Sequence, residues 1–195
     1  MSLQDRIINH FTDNIQLHQE SMVGLCELIE YAAQALASVL LNDKKILCCG
    51  NGHSTSCVQL FSSSMLNQFE RDRPALPVFA LTADTATITG IANDYAFEEV
   101  YAKQLRALGD NGDVLLLFAE NGASASLIKA IHAAHDKGLM VIAISGRAGD
   151  ALNPLLKETD IEICVQSQST ARIQEVQVLI TNCLCDLIDH QLFGG

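Results

Sequence analysis

The sequence predicts an α/β protein: a three-layer, doubly wound, parallel five-stranded sheet with long N-terminal and C-terminal helices. Three observations predict it. Short apolar runs of strand length alternate with helical patterns along the chain. Runs such as 45–49 and 114–118 are apolar on both faces, as suits strands covered by helices above and below. Two of these runs feed turns built on Gly50-Asn51-Gly52 and Asn121-Gly122. Ligands of open α/β sheets bind where such turns leave the carboxyl ends of strands.

In chain order, Leu3, Ile7, Ile8, Phe11 and Ile15 make one helical stripe, which resumes at Met22, Leu25, Ile29, Ala32, Ala33, Leu36, Val39 and Leu40. This predicts two helices, or one bent helix, with a break near 21–24. Residues 1–42 then form a helical extension whose apolar surface is used in oligomerisation. Strand one follows, then a helix from Ser54 to about Phe69, ended by Arg71-Asp72-Arg73-Pro74. Residues 76–81 read as strand two. Thr82-Ala83-Asp84 caps a helix to about Ile91, Asn93-Asp94-Tyr95 is a turn, and 97–108 is a further helix with Glu98 and Glu99 in its first turn, where the dipole favours acids. A strand at 114–118, a helix at 124–137 ended by Gly138, strands at 139–144 and 161–165, and a final helix at 170–192 complete the pattern. No linker or repeat divides it, so residues 1–195 are read as one domain.

The formal net charge of −11 argues against direct binding to nucleic acid or an anionic membrane. No charged start precedes a long apolar stretch, so neither a signal peptide nor a membrane span is expected. The seven cysteines are odd in number and none are spaced C-x-x-C. They read as buried reduced thiols and imply a reducing cytoplasm.

The stretch from Ile46 to Ser56 is a strand, a glycine turn and a helix start, the makings of an anion site. Asn51, Gly52 and Ser54 are candidates there, and equally make the turn itself. His53 is either a ligand group or, more simply, a loop residue. Ser124 with Asn121 and Gly122 forms the second turn. His132 and His135 are spaced for a metal but fit a polar helix face, and Glu98 and Glu99 fit helix-terminal acids better than a catalytic dyad. Leu192 and Phe193 near the C-terminus are candidates for partner binding or for packing under a neighbouring subunit.

Cys49-Gly50-Asn51-Gly52, Asn93-Asp94, Tyr101-Ala102-Lys103-Gln104 and Arg172-Ile173-Gln174-Glu175 resemble the sugar isomerase (SIS) family. Within it the chain resembles the branch that holds phosphoheptose isomerase and the DnaA initiator-associating protein DiaA. The resemblance implies a phosphosugar site including Asp94 and Gln174, a tetramer, and a metal held by His and Glu on the helix after the first turn and by Gln and His on the last helix. Carried onto this chain, those four positions are Leu60, Ser64, Gln174 and Asn182. Three of the four ligands are absent, and one neutral amide will not hold zinc. The family's second turn usually reads Ser-Thr-Ser-Gly-Asn-Ser; here it reads Ala119-Glu120-Asn121-Gly122-Ala123-Ser124, which removes hydroxyls and adds a negative charge.

On these residues the chain is expected to be a non-catalytic, cytoplasmic homo-oligomer with no metal and no catalytic residues. Its phosphosugar site is expected to be degenerate and weak. By resemblance its partner is the DnaA initiator, whose assembly it would promote. The alternative is phosphoheptose isomerase, converting sedoheptulose 7-phosphate for lipopolysaccharide heptose, with zinc expected only in that case.

Overall fold

The computed structural model describes residues 1–120, 124–147 and 152–194. Five parallel strands, β1 (Ile46–Gly50), β2 (Val78–Ala80), β3 (Val114–Phe118), β4 (Met140–Gly146) and β5 (Ile161–Val165), lie in the order β2-β1-β3-β4-β5. The six α-helices among the described residues are α1 (Leu3–Leu41), α2 (Ser54–Leu66), α3 (Thr85–Asp94), α4 (Val100–Leu108), α5 (Ala125–Asp136) and α6 (Thr170–Phe193). The three-layer doubly wound sheet is therefore present. Alternation along each strand divides the core. Ile46, Cys48, Leu116 and Ile144 face α1, α2 and α6, whereas Leu47, Cys49, Leu117 and Ala143 face α4 and α5. The strand order reverses direction between β1 and β3, and a crevice opens there at their carboxyl ends.

The first helix differs from the two-helix reading. α1 is continuous for 39 residues, roughly 58 Å at a helical rise of 1.5 Å per residue. Ser2 and Asp5 cap it reciprocally, with Ser2 N donating to Asp5 Oδ2 (2.7 Å) and Asp5 N to Ser2 Oγ (3.0 Å). Gly24 costs about 1 kcal/mol in helix propensity. Packing of the second half offsets that cost: Ala32, Ala33, Leu36 and Ala37 are buried in the core. The first half is another matter. Leu3, Ile7, Ile8, Phe11 and Ile15 are all exposed on this chain. By length and composition α1 is apolar enough to cross a membrane, but its second half is part of the protein core.

Three smaller boundaries shift. β2 is only three residues long, because Leu76 N bonds Met65 O and Pro77 has no N–H for a ladder. Asp84 caps α3 as expected, accepting from Thr87 N at 3.1 Å, but α3 runs through Asp94 rather than stopping at Ile91. The helix expected at 97–108 opens with a 3₁₀ turn, Phe97–Glu99, before α4.

The ends of α2 and α6 are held by two arginines. A helix end leaves carbonyls without partners. Arg73 donates to Ser64 O (2.8 Å) and Met65 O (2.7 Å) at the end of α2, and to Asp189 Oδ1 (2.9 Å) on α6. Arg71 donates to the carbonyls of Asp189 and Gly194. Its guanidinium also lies 5.9 Å from the centre of the Phe193 ring, and Leu192 packs half-buried against the core. Phe193 is thus part of this clasp while staying 40% exposed, and Leu192 is half-buried against the core.

Cys48, Cys49, Cys57 and Cys185 are buried free thiols. Burial pushes the Cys185 thiol up to about 12, which keeps it unreactive near neutrality.

Arg73 and Asp189 are both almost wholly buried. Asp189→Ala strands the guanidinium and is expected to lower the unfolding free energy by about 3–5 kcal/mol, read from the urea midpoint. An unchanged midpoint would remove this pair from the account of how α2 and α6 are joined.

Candidate functional site

Gly50 ends β1 where a side chain has no room. A Cβ there would meet Phe118 O at 3.0 Å and Ser54 Cβ at 3.1 Å. Gly52 then turns the chain with a left-handed φ of 55°, open to glycine. The turn delivers Ser54 to the start of α2. Glu120, just beyond β3, and Ser124, at the start of α5, face it.

Asn51 joins the two sides. Its Nδ2 donates to Ser124 Oγ (2.7 Å) and to Ser126 Oγ (2.9 Å). Tyr101, buried on α4, donates its hydroxyl to Gly50 O at 2.7 Å and lies 3.1 Å from Asn51 Oδ1. Burial pushes the Tyr101 phenol well above its ordinary range, so it stays a donor. Gln177 on α6 is fully buried and donates to Ala119 O (2.8 Å) and Ile144 O (3.1 Å), fixing the backbone just before Glu120.

Asn51, Gly52, Ser54, Phe118, Ala119, Glu120, Ser124 and Leu127 line a crevice of about 200 Å³. Two of its polar atoms make no hydrogen bond among the described residues. Ser54 is 1% exposed and its Oγ makes no hydrogen bond. Among the described residues Glu120 Oε1 is likewise buried without a hydrogen bond, and His53 Nδ1, on a largely exposed ring, stands 3.4 Å away at ion-pair distance. An orphaned buried group such as the Ser54 hydroxyl costs about 1–3 kcal/mol. A ligand atom in the crevice would relieve it.

The structure thus brings Asn51, Gly52, Ser54 and Ser124 together, with His53 at the edge beside Glu120. Gln174, on α6, donates to Ser56 Oγ at 3.2 Å and borders the same loop. Asn121 and Gly122 lie outside the described residues. Asp94 is not brought in: it sits exposed at the end of α3, accepting from Asn93 Nδ2 at 2.9 Å, and does not line the crevice of its own chain. Glu98 and Glu99 both pair with Lys129, and Glu99 also with Arg106 at 3.0 Å, so they tie the 3₁₀ turn before α4 to α5. His135 turns away from His132 to Asp160 Oδ2 at 2.7 Å. Tyr101, Ser126 and Gln177 were not singled out as site residues in the sequence. Only the Tyr101 motif hinted at one of them.

The metal positions implied by the resemblance do not fit zinc. Leu60 offers no donor atom. Ser64 is buried, with its hydroxyl against Cys185 and its carbonyl taken by Arg73. Asn182 supplies only a half-buried amide, and the amide of Gln174 faces Ser56. Among the described residues no group of three His, Cys, Asp or Glu is placed to hold a metal.

The SIS domain model matches residues 10–146. A phosphoheptose isomerase of Methylococcus capsulatus is 56% identical over 194 residues, covering 100% of both chains. One of Chromohalobacter salexigens is 50% identical, covering 100% of this chain and 99% of that one. Among solved structures, a phosphoheptose isomerase from Francisella tularensis superposes with a TM-score of 0.95 at 44% identity, over 97% of this chain and 100% of its own. One from Neisseria gonorrhoeae gives 0.91 at 42% identity, over 96% and 99%.

These relatives correct the functional expectation. Chains matching from end to end at this identity carry the isomerase name, so the initiator-binding, non-catalytic reading gives way to its alternative. That reading rested on Leu60, Ser64, Asn182 and the altered second turn, and gave them more weight than the rest of the sequence. The chain belongs to the SIS domain family.

Proposed function

We propose that this chain binds a phosphorylated heptose at the β1/β3 crevice and acts as a phosphoheptose isomerase. The observation that carries the reading is the end-to-end identity of 56% with a relative of that name. The crevice supports it, with an unpartnered Ser54 hydroxyl at the start of a 13-residue helix, facing Ser124 across it. The chemistry moves a proton between adjacent sugar carbons and needs an acid and a base near the open-chain carbonyl. Because Leu60, Ser64 and Asn182 supply neither a metal site nor that pair, no step is assigned to those positions.

The crevice is smaller than the roughly 300–1,000 Å³ of pockets that enclose a whole small ligand. It fits one end of a heptose phosphate, and the rest of the site must come from beyond it. A neighbouring subunit is the natural source. The exposed row Leu3, Ile7, Ile8, Phe11 and Ile15 on α1 is the surface on which a second copy would pack.

Sedoheptulose 7-phosphate added to the purified chain, and followed by proton NMR, is expected to give the aldoheptose 7-phosphate. Binding without any product would contradict the isomerase reading while leaving the binding site standing. The double variant Ile7→Glu, Phe11→Glu is expected to lower the sedimentation mass from that of an oligomer toward a monomer, with helical circular dichroism retained. A monomeric wild type would refute the subunit contact.

A further inference from the structure

We infer that Tyr101 and Ser126 are positioning residues: acting through Asn51, they aim the hydroxyl proton of Ser124 into the β1/β3 crevice, toward an acceptor oxygen of the bound sugar phosphate. This rests on the reading of the crevice as the sugar-phosphate site and names the residues behind it that prepare its donor.

A phenol or serine hydroxyl has one proton to give, and a primary amide has two. Asn51 Nδ2 gives both of its protons to the serines, one to Ser124 Oγ (2.7 Å) and one to Ser126 Oγ (2.9 Å). The two serine oxygens lie 3.0 Å apart, so one hydroxyl donates to the other. Ser126 is buried and does not line the crevice, and its proton has no other acceptor among the described residues. Ser126 is therefore the donor. Ser124 Oγ then accepts from both Asn51 and Ser126, and its own proton is left over. Ser124 lines the crevice, so that proton is available to a ligand.

This direction depends on which way the Asn51 amide faces. Its Oδ1 lies 3.1 Å from the Tyr101 hydroxyl, which also donates to Gly50 O at 2.7 Å. Tyr101 is buried, and burial keeps its phenol protonated. One proton shared between two acceptors, Gly50 O and Asn51 Oδ1, holds the amide oxygen on the Tyr101 side. Turned over, the amide would present its oxygen to the serines and draw both of their protons. One amide N–H would then lack an acceptor among the described residues, and Ser124 would have nothing to give a ligand. In the orientation present, Ser124 and the unbonded Ser54 hydroxyl both offer protons to the crevice. Hydrogen bonds from such groups to an ionised ligand oxygen are stronger than bonds between neutral groups.

A double-mutant cycle on the full-length chain tests this, with the affinity for sedoheptulose 7-phosphate measured by calorimetry. Ser124→Ala removes the donor and is expected to weaken binding about tenfold, as the loss of one hydrogen bond to a charged group does. Tyr101→Phe keeps the ring and removes only the hydroxyl. It is expected to weaken binding by about the same factor on its own, and by less than about twofold when Ser124→Ala is already present. Ser126→Ala leaves one Asn51 N–H without its acceptor and is expected to repeat the pattern, so it serves as the second variant if Tyr101→Phe does not fold. Thermal midpoints show which variants fold. Equal losses with and without Ser124→Ala would make Tyr101 and Ser126 merely structural and overturn the inference. If the wild type binds the sugar phosphate and both Tyr101→Phe and Ser126→Ala bind it as tightly, this inference fails and the crevice reading stands. If the wild type does not bind it at all, both fail.

Discussion

The side-chain amide of Asn51 joins the two helix starts that face each other across the sheet. It can do so only because Gly50 lets β1 end against Phe118 O and the first turn of α2. From there, hydrogen bonds reach Ser124 and Ser126 at the start of α5, while Tyr101 holds the Gly50 carbonyl from α4. Three helices and two strands are thereby fixed relative to one crevice. Gln177 completes the frame from α6 by bonding the Ala119 carbonyl just beyond β3 and the Ile144 carbonyl within β4. Polar groups buried in this way demand partners, and a satisfied network fixes a unique geometry. Ser54 Oγ, without a hydrogen bond among the described residues, stands out because its neighbours are paired.

Much of this fold could be read from the sequence. The strands declared themselves as short apolar runs, and Asp84 announced the start of α3. The discrepancies have local causes. Ser21 and Gly24 are poor helix formers, yet α1 runs through them because its second half is anchored in the core and its first half is bonded to α6 through Asn14–Glu175 and the His10 carbonyl–Arg172. Asn93-Asp94 looked like a turn, but α3 continues through it and stops only at Tyr95. At the site, Gly50, Asn51, Ser54 and Ser124 were legible because they follow strands. Tyr101 and Gln177 were not, since their partners lie 51 and 58 residues away and no local pattern encodes such pairings.

Two kinds of sequence information point in different directions here. Full-length identity makes the chain similar to proteins named phosphoheptose isomerase. The positions at which the resemblance implies a metal carry Leu60, Ser64 and Asn182, with only Gln174 kept. Identity averages over the chain, and most of that average is core: the same strands, helix faces and turns. A reaction depends on a few side chains, and those contribute little to the average. The crevice itself remains because the strand-to-helix turn requires it.

The central claim is that the β1/β3 crevice is where this chain meets a sugar. Backbone NMR of the isotopically labelled protein titrated with sedoheptulose 7-phosphate tests it directly. The account predicts that amide shifts concentrate at Asn51–Ser56 and at Ser124–Ser126. Shifts confined to the cavity between α1 and β5, around Leu25 and Glu162, or a spectrum that does not change at millimolar sugar, would contradict it.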